Sequence, residues 1–179
     1  MEQEVILVDK NDRQTGTMEK MMAHTTGSLH RAFSVFIFDG EGKMLLQRRA
    51  MNKYHSGGLW TNACCSHPFP GESTHEGALR RLQEEMGFQT PLAPMFHFTY
   101  EAKFDNGLTE HEYDHVFYGK YEGAIAPDKE EVMDYEYKTI DQIRSELEIH
   151  PEKYTAWFLI AFPRLQTWLE LNPNKISAK

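Results

Sequence analysis

Apolar and polar positions change rhythm several times along this chain, and each change marks an element. "EVILVD" is a short apolar run that suits a first strand, and "DKNDRQTG" after it is turn material. A short polar segment, "TMEKMMAHTTGSLH", follows. "AFSVFIF" and "MLLQRRA" then predict a hairpin around the turn "DGEGK", and the loop "KYHSGGLW" leads into "TNACCSHPFPGE". "ESTHEGALRRLQEEMGF" carries helix signals at both ends: Ser73 as N-cap with Glu76 completing a capping box, and Gly87 as a stop. Its apolar stripe is Ala78, Leu79, Leu82 and Met86. "MFHFTYEAKF" and "EHEYDHVFYGKYEG" alternate like antiparallel strands, "EEVMDYEYKTI" reads as another, and "TIDQIRSELEI" as a helix. "YTAWFLIAFPRLQTWLELN" predicts an apolar helix bent at Pro163. Strands on both sides of one central helix, with more helix at the end, give a mixed α/β sandwich.

Composition narrows the class. At 179 residues the chain suits one domain and needs no staple to hold its core. A net charge of -8 argues against a protein that tracks a nucleic acid backbone. The start of the sequence lacks a basic segment followed by an apolar run, and no apolar stretch is long enough to span a bilayer. The two cysteines, Cys64 and Cys65, are neighbours, and adjacent Cα atoms about 3.8 Å apart are too close for ordinary disulfide geometry. Two free thiols point to a reducing compartment, so the expectation is a cytoplasmic protein with no membrane or nucleic acid partner.

Alternation also sorts the candidate chemistry. If "ACCSH" is extended, Cys65 and His67 share one face while Cys64 and Ser66 point to the other. One thiol then packs as a small apolar residue and the other is presented to a site, unless both are simply buried. In "EHEYDH" the same rule aligns Glu110, Glu112 and Asp114 opposite His111, Tyr113 and His115. That acidic face is either a solvated sheet edge or, with His24, His30 and His67, part of a divalent metal site. Glu85 sits at the margin of the central helix's apolar stripe, one turn after Arg81, as a structural ion pair or a magnesium ligand. Arg80 and Glu84 form a second such pair on the solvated side. Lys20, Arg48, Arg49 and Lys53 are either solvated cations or equipment for a diphosphate; adjacent arginines on a strand face opposite ways, so one at most enters a given pocket.

With these residues in place, the chain resembles a type I isopentenyl diphosphate isomerase, within the Nudix-fold superfamily. The resemblance runs from about Glu4 to "YTAWF" and rests on "WTNACCSHP", "EHEYDHVF" and "EEVMDY", supported by "TGTMEK", "RAFSVFIF" and "RRAMNKY". Glu72, Arg80, Leu82, Glu84, Glu85, Gly87 and Phe88 match the Nudix box, in a region of about residues 66–88. Ser66 stands where the box begins with glycine and Arg81 where the hydrolases place a glutamate, which weakens the metal site for pyrophosphate cleavage.

The resemblance implies a single Nudix-like α/β/α domain over 1–179 that interconverts isopentenyl and dimethylallyl diphosphate through a tertiary carbocation. Cys65 and Glu112 would be the catalytic pair, Tyr100 would assist Glu112, and Trp157 would face the reacting carbons. His24, His30, His67, Glu110 and Glu112 would bind Mn2+ or Zn2+, while Glu85 and the Cys65 carbonyl hold Mg2+ on the diphosphate. Lys20, Arg49, Lys53 and Arg81 would contact that diphosphate, in a monomer or homodimer. The rivals are a Nudix hydrolase of a nucleoside diphosphate compound and a non-catalytic diphosphate-binding module.

Overall fold

The computed structural model describes residues 3–176. β1 (Glu4–Val8) buries Val5, Ile6 and Val8 and pairs antiparallel with β2 (Gln14–Glu19). β2 and the following α1 (Lys20–Thr26) stand where the sequence reading expected turn material and a short polar segment with no element assigned. β2 is an edge strand with little to bury, so its sequence has no apolar alternation to read. α1 is capped unusually, by the Glu19 carboxylate, which accepts from the amides of Met21 (2.7 Å) and Met22 (2.8 Å). It buries only Ala23 and His24, too few positions for a stripe.

Register then decides what stands beside what. β3 (His30–Phe38) runs parallel to β8 (Thr109–Lys120), pairing His30 with Glu112 and Ser34 with Val116. β7 (Ala93–Lys103) flanks β8 antiparallel, pairing Tyr100 with Glu112 and Ala102 with Glu110. The acidic face of β8 is therefore mid-sheet, and the solvated-edge reading is excluded: Glu110, Glu112 and Asp114 are all buried.

The expected hairpin of β3 with β4 (Met44–Arg49) exists only at its turn end, where Ile37 pairs with Leu45 and Phe38 with Met44. Beyond that the strands diverge, β4 pairing along its other side with β9 (Val132–Lys138). β5 (Trp60–Asn62) fills the wedge on the β4 side and β6 (Cys64–Ser66) on the β3 side. The polar pocket opens in this wedge, with Arg49 at one wall and Cys65 at the other.

Alternation along β3 and β4 supplies both cores. Phe33, Val35, Ile37 and Leu45 pack against Ala78, Leu82 and Met86 of α2 (Thr74–Met86). Phe36, Phe38, Met44 and Leu46 meet Phe158, Phe162 and Leu165 of α4 (Ala156–Leu171), near which α3 (Ile140–Ile149) adds Ile143. Helices thus cover both faces of one mixed sheet, the α/β/α sandwich that the sequence implies. The capping box of α2 is present, Ser73 and Glu76 each accepting from the other's backbone amide. Gly87 ends the helix at φ 76°, and a Cβ there would meet the Ala126 carbonyl oxygen at 2.2 Å. α4 continues through Pro163 to Leu171. No helix among the described residues is long and apolar enough to cross a membrane.

Candidate active site

β6 separates the two thiols as alternation requires. Cys64 is fully buried in the core beneath α2, and Cys65 turns into the pocket. The Cys65 thiol donates to Asn62 Oδ1 at 3.1 Å and lies 3.3 Å from Ser34 Oγ. Asn62 is itself fixed, its amide donating to the carbonyls of Val35 (3.0 Å) and Cys64 (2.9 Å). Burial, then the negative charge of Asp114, pushes the Cys65 pKa up, so the group is held as a neutral thiol that retains its proton.

On the same sheet face, lining the same pocket, stands Glu112. Its Oε2 accepts from the Tyr100 hydroxyl at 2.7 Å, and its Oε1 lies 2.9 Å from His67 Nε2 and 3.5 Å from His30 Nε2. Burial would raise its pKa, but the hydrogen bonds from His30 and His67 outweigh burial and hold it well below the usual carboxylate range. Glu110 shares the Tyr100 hydroxyl at 3.1 Å, and burial followed by the Glu112 charge raises it instead. Asp114 accepts from Ser34 Oγ at 2.6 Å and is pushed up to about 8, by burial first and Glu112 second.

Ligand atoms of His24, His30, His67 and Glu112 all lie within 4.8 Å of one another. The His30 Nδ1–H donates to the Ser28 carbonyl at 2.8 Å, and its Nε2 lies 3.1 Å from His67 Nε2, between that ring and Glu112; burial is outweighed by contact with Glu112, which raises the His30 pKa. Both nitrogens of His24 and Nδ1 of His67 are buried without a hydrogen-bond partner. Burial lowers His24 to about 3 and His67 to about 4, keeping both imidazoles in the neutral form that ligates metal. Buried imidazole nitrogens without a partner, clustered beside a buried carboxylate, are costly unless a cation joins them, so this donor set fits a divalent ion. Glu110 stands outside the four-atom group, turned toward Tyr100 and toward His55, whose Nε2 is 3.1 Å from Glu110 Oε1.

All four expected diphosphate contacts, Lys20, Arg49, Lys53 and Arg81, line the pocket. Arg48 points elsewhere, donating to the Gly58 carbonyl at 2.9 Å, as strand alternation requires. Lys20 is lowered to about 8 by burial and then by neighbouring Lys53. The Arg49 guanidinium lies 5.1 Å from the Trp157 ring centroid. Arg81 donates to Glu85 Oε1 (2.6 Å) and Glu84 Oε2 (2.8 Å), while Gln47 donates to Glu85 Oε2 at 2.9 Å. Glu72 is committed to Arg80 through two 2.8 Å bonds, so Arg80 braces the loop before α2 as well as meeting Glu84.

Trp157, buried on the first turn of α4, closes the pocket. Thr155 caps that turn and ties it to β5: its amide donates to the Trp60 carbonyl at 3.0 Å and its hydroxyl to Thr61 Oγ1 at 3.1 Å. Several pocket residues went unread in the sequence. Ser34 carried a signal, being the one polar residue inside "AFSVFIF". His55, stacked 4.5 Å from the Phe104 ring, and Glu131 sit in loop and turn segments where spacing says nothing of direction.

Comparison with known proteins matches this geometry to a family. The NUDIX domain profile matches residues 28–158. The isopentenyl-diphosphate Delta-isomerase of Pectobacterium atrosepticum is 52% identical over 162 residues, 90% of each chain. The isopentenyl-diphosphate Delta-isomerase 1 of Aromatoleum aromaticum is 47% identical, covering 99% of this chain and 100% of that one. Among solved structures, DR0079 from Deinococcus radiodurans superposes with a TM-score of 0.76 at 13% identity, covering 90% of this chain and 98% of that one, a likeness of fold. The chain therefore belongs to the NUDIX family and, within it, to the isopentenyl-diphosphate Delta-isomerases.

Proposed function

We propose that this pocket interconverts isopentenyl and dimethylallyl diphosphate by adding a proton to one alkene carbon and removing one from another. The observation that carries the reading is Cys65 and Glu112, on different strands, lining one pocket walled by Trp157. In the forward direction the Cys65 S–H bond breaks as a C–H bond forms at the terminal alkene carbon, leaving a thiolate and a tertiary carbocation. Glu112 then takes the proton from the carbon on the other side, and the electron pair of that C–H bond closes the new double bond. A positioned acid or base contributes about 10²- to 10⁴-fold, so the cation itself must also be stabilised. The π face of Trp157 suits that need, at on the order of 2 kcal/mol in a dry site. Burial of the pocket walls keeps out water that would trap the cation.

Tyr100, bonded to Glu110 and Glu112, fixes the orientation of the accepting carboxylate. His24, His30, His67 and Glu112, with Glu110 beside them, would hold a divalent ion, Mn2+ or Zn2+, that supplies positive charge next to Glu112. Lys20, Arg49, Lys53 and Arg81 would grip the diphosphate, and Glu85 with the Cys65 carbonyl would hold Mg2+ on it. A single cytoplasmic catalytic domain suits a chain whose two thiols are free. The test is incubation with isopentenyl diphosphate and magnesium in deuterated water, followed by NMR. Dimethylallyl diphosphate carrying deuterium is expected, and its absence would overturn the reading.

A further inference from the structure

The cations assigned above to the diphosphate differ in what already holds them. Lys20 and Arg49 stand against aromatic rings, Lys20 Nζ being 5.0 Å from the Tyr54 centroid and Arg49 beside Trp157. Lys53 and Arg81 instead share one carboxylate: Glu131 Oε2 pairs with Lys53 Nζ, and Glu131 Oε1 lies 3.4 Å from an Arg81 terminal nitrogen. One oxygen to each cation is how a phosphate oxyanion bridges two basic side chains. Glu131 lines the same pocket, with its side chain 24% exposed. Its backbone cannot drift, because the Ala50 amide donates to the Glu131 carbonyl at 2.9 Å, the Glu131 amide donates to Asp128 at 3.1 Å, and Val132 beside it is fully buried.

Resting on the diphosphate reading, we propose that Glu131 is an internal competitor of the substrate: its carboxylate holds Lys53 and Arg81, and the diphosphate must displace it from both. The two cations respond differently. Arg81 keeps Glu84 and Glu85 after the exchange, whereas Glu131 is the only ion-pair partner of Lys53 among the described residues, so Lys53 passes wholly to the ligand. A singly charged carboxylate yields to a multiply charged diphosphate but not to a weak monovalent anion, so Glu131 also screens the site. Its fixed backbone leaves a negative charge near the bound diphosphate, which opposes binding and favours release.

The test is calorimetric binding of inorganic pyrophosphate, with and without magnesium, to the full chain and to Glu131→Gln. The variant is expected to bind at least about tenfold more tightly in both conditions, with the KM for isopentenyl diphosphate falling in the same direction. Glu131→Asp, which keeps the charge, is expected to stay within about threefold of the unmodified protein. Glu131→Ala gives the same reading as Gln should the latter not fold. Unchanged or weaker binding by the neutral variants would overturn the proposal, as would equal tightening by Asp. Weaker binding only with magnesium would instead make Glu131 a metal-holding residue. Pyrophosphate binding needs no turnover, so failure of the isomerase reading would appear separately, as absence of dimethylallyl product from the unmodified protein.

Discussion

The same face of the same two strands is oily at one end and ionic at the other. Toward the turn, β3 and β8 present Phe36, Phe38 and Val116 to α4; toward the wedge they present His30, Ser34, Glu110, Glu112 and Asp114. Backbone pairing is continuous across the boundary, nine parallel pairs from His30 with Glu112 to Phe38 with Lys120. What changes is what lies above: α4 interdigitates with the oily end, while the ionic end meets a pocket and its ring of charged residues. The oily end stabilises the sheet, and that stability holds the buried charges of the other end in place. Substitutions at the two ends should therefore separate activity from stability.

The largest effect is expected at the ionic end. Cys65→Ala should lower turnover by at least about 10²-fold with the fold intact, while Cys64→Ala keeps turnover within about threefold and lowers the melting temperature. Equal loss of turnover in both variants would erase the division of labour between the thiols. At the oily end, Phe158→Ala should cost about 3–5 kcal/mol in urea unfolding, yet leave KM little changed at temperatures where the variant is folded. The smallest effect sharpens the boundary itself. Asp114 has its pKa raised from 3.8 to about 8, so the folded state holds a proton that the unfolded state has lost. That penalty is absent below about pH 4 and grows as pH rises toward 8. Asp114→Asn should therefore stabilise the metal-free protein by about 1 kcal/mol or more at pH 8, with the gain vanishing near pH 4. A pH-independent gain would assign the effect to packing.

Legibility in the sequence followed a different boundary, between features fixed within one element and features fixed by its neighbours. Strand alternation placed Cys65 with His67 and Glu110 with Glu112 and Asp114 on their faces, because a period of two needs no knowledge of neighbours. The caps of α2 were readable because Ser73, Glu76 and Gly87 act within one helix. What stayed hidden depended on pairing. The parallel register of β3 on β8 buries the carboxylates, and nothing in "EHEYDH" itself distinguishes that from a solvated edge. β2 and α1 were missed because they bury almost nothing, and His55 and Glu131 because turns carry no period.

The tie between Thr155 and β5 has a consequence for the reacting centre. Trp157 lies two residues beyond Thr155, and Cys65 three residues beyond Asn62, the last residue of β5, so aromatic wall and thiol share one short frame. Their spacing is set when the chain folds, so the proposed carbocation would develop between groups that need little reorganisation. An α4 that swung away from the sheet would have to break the bonds to Trp60 and Thr61 first. The ring thus stands as a fixed wall of the pocket that Lys20, Lys53 and Glu131 also line.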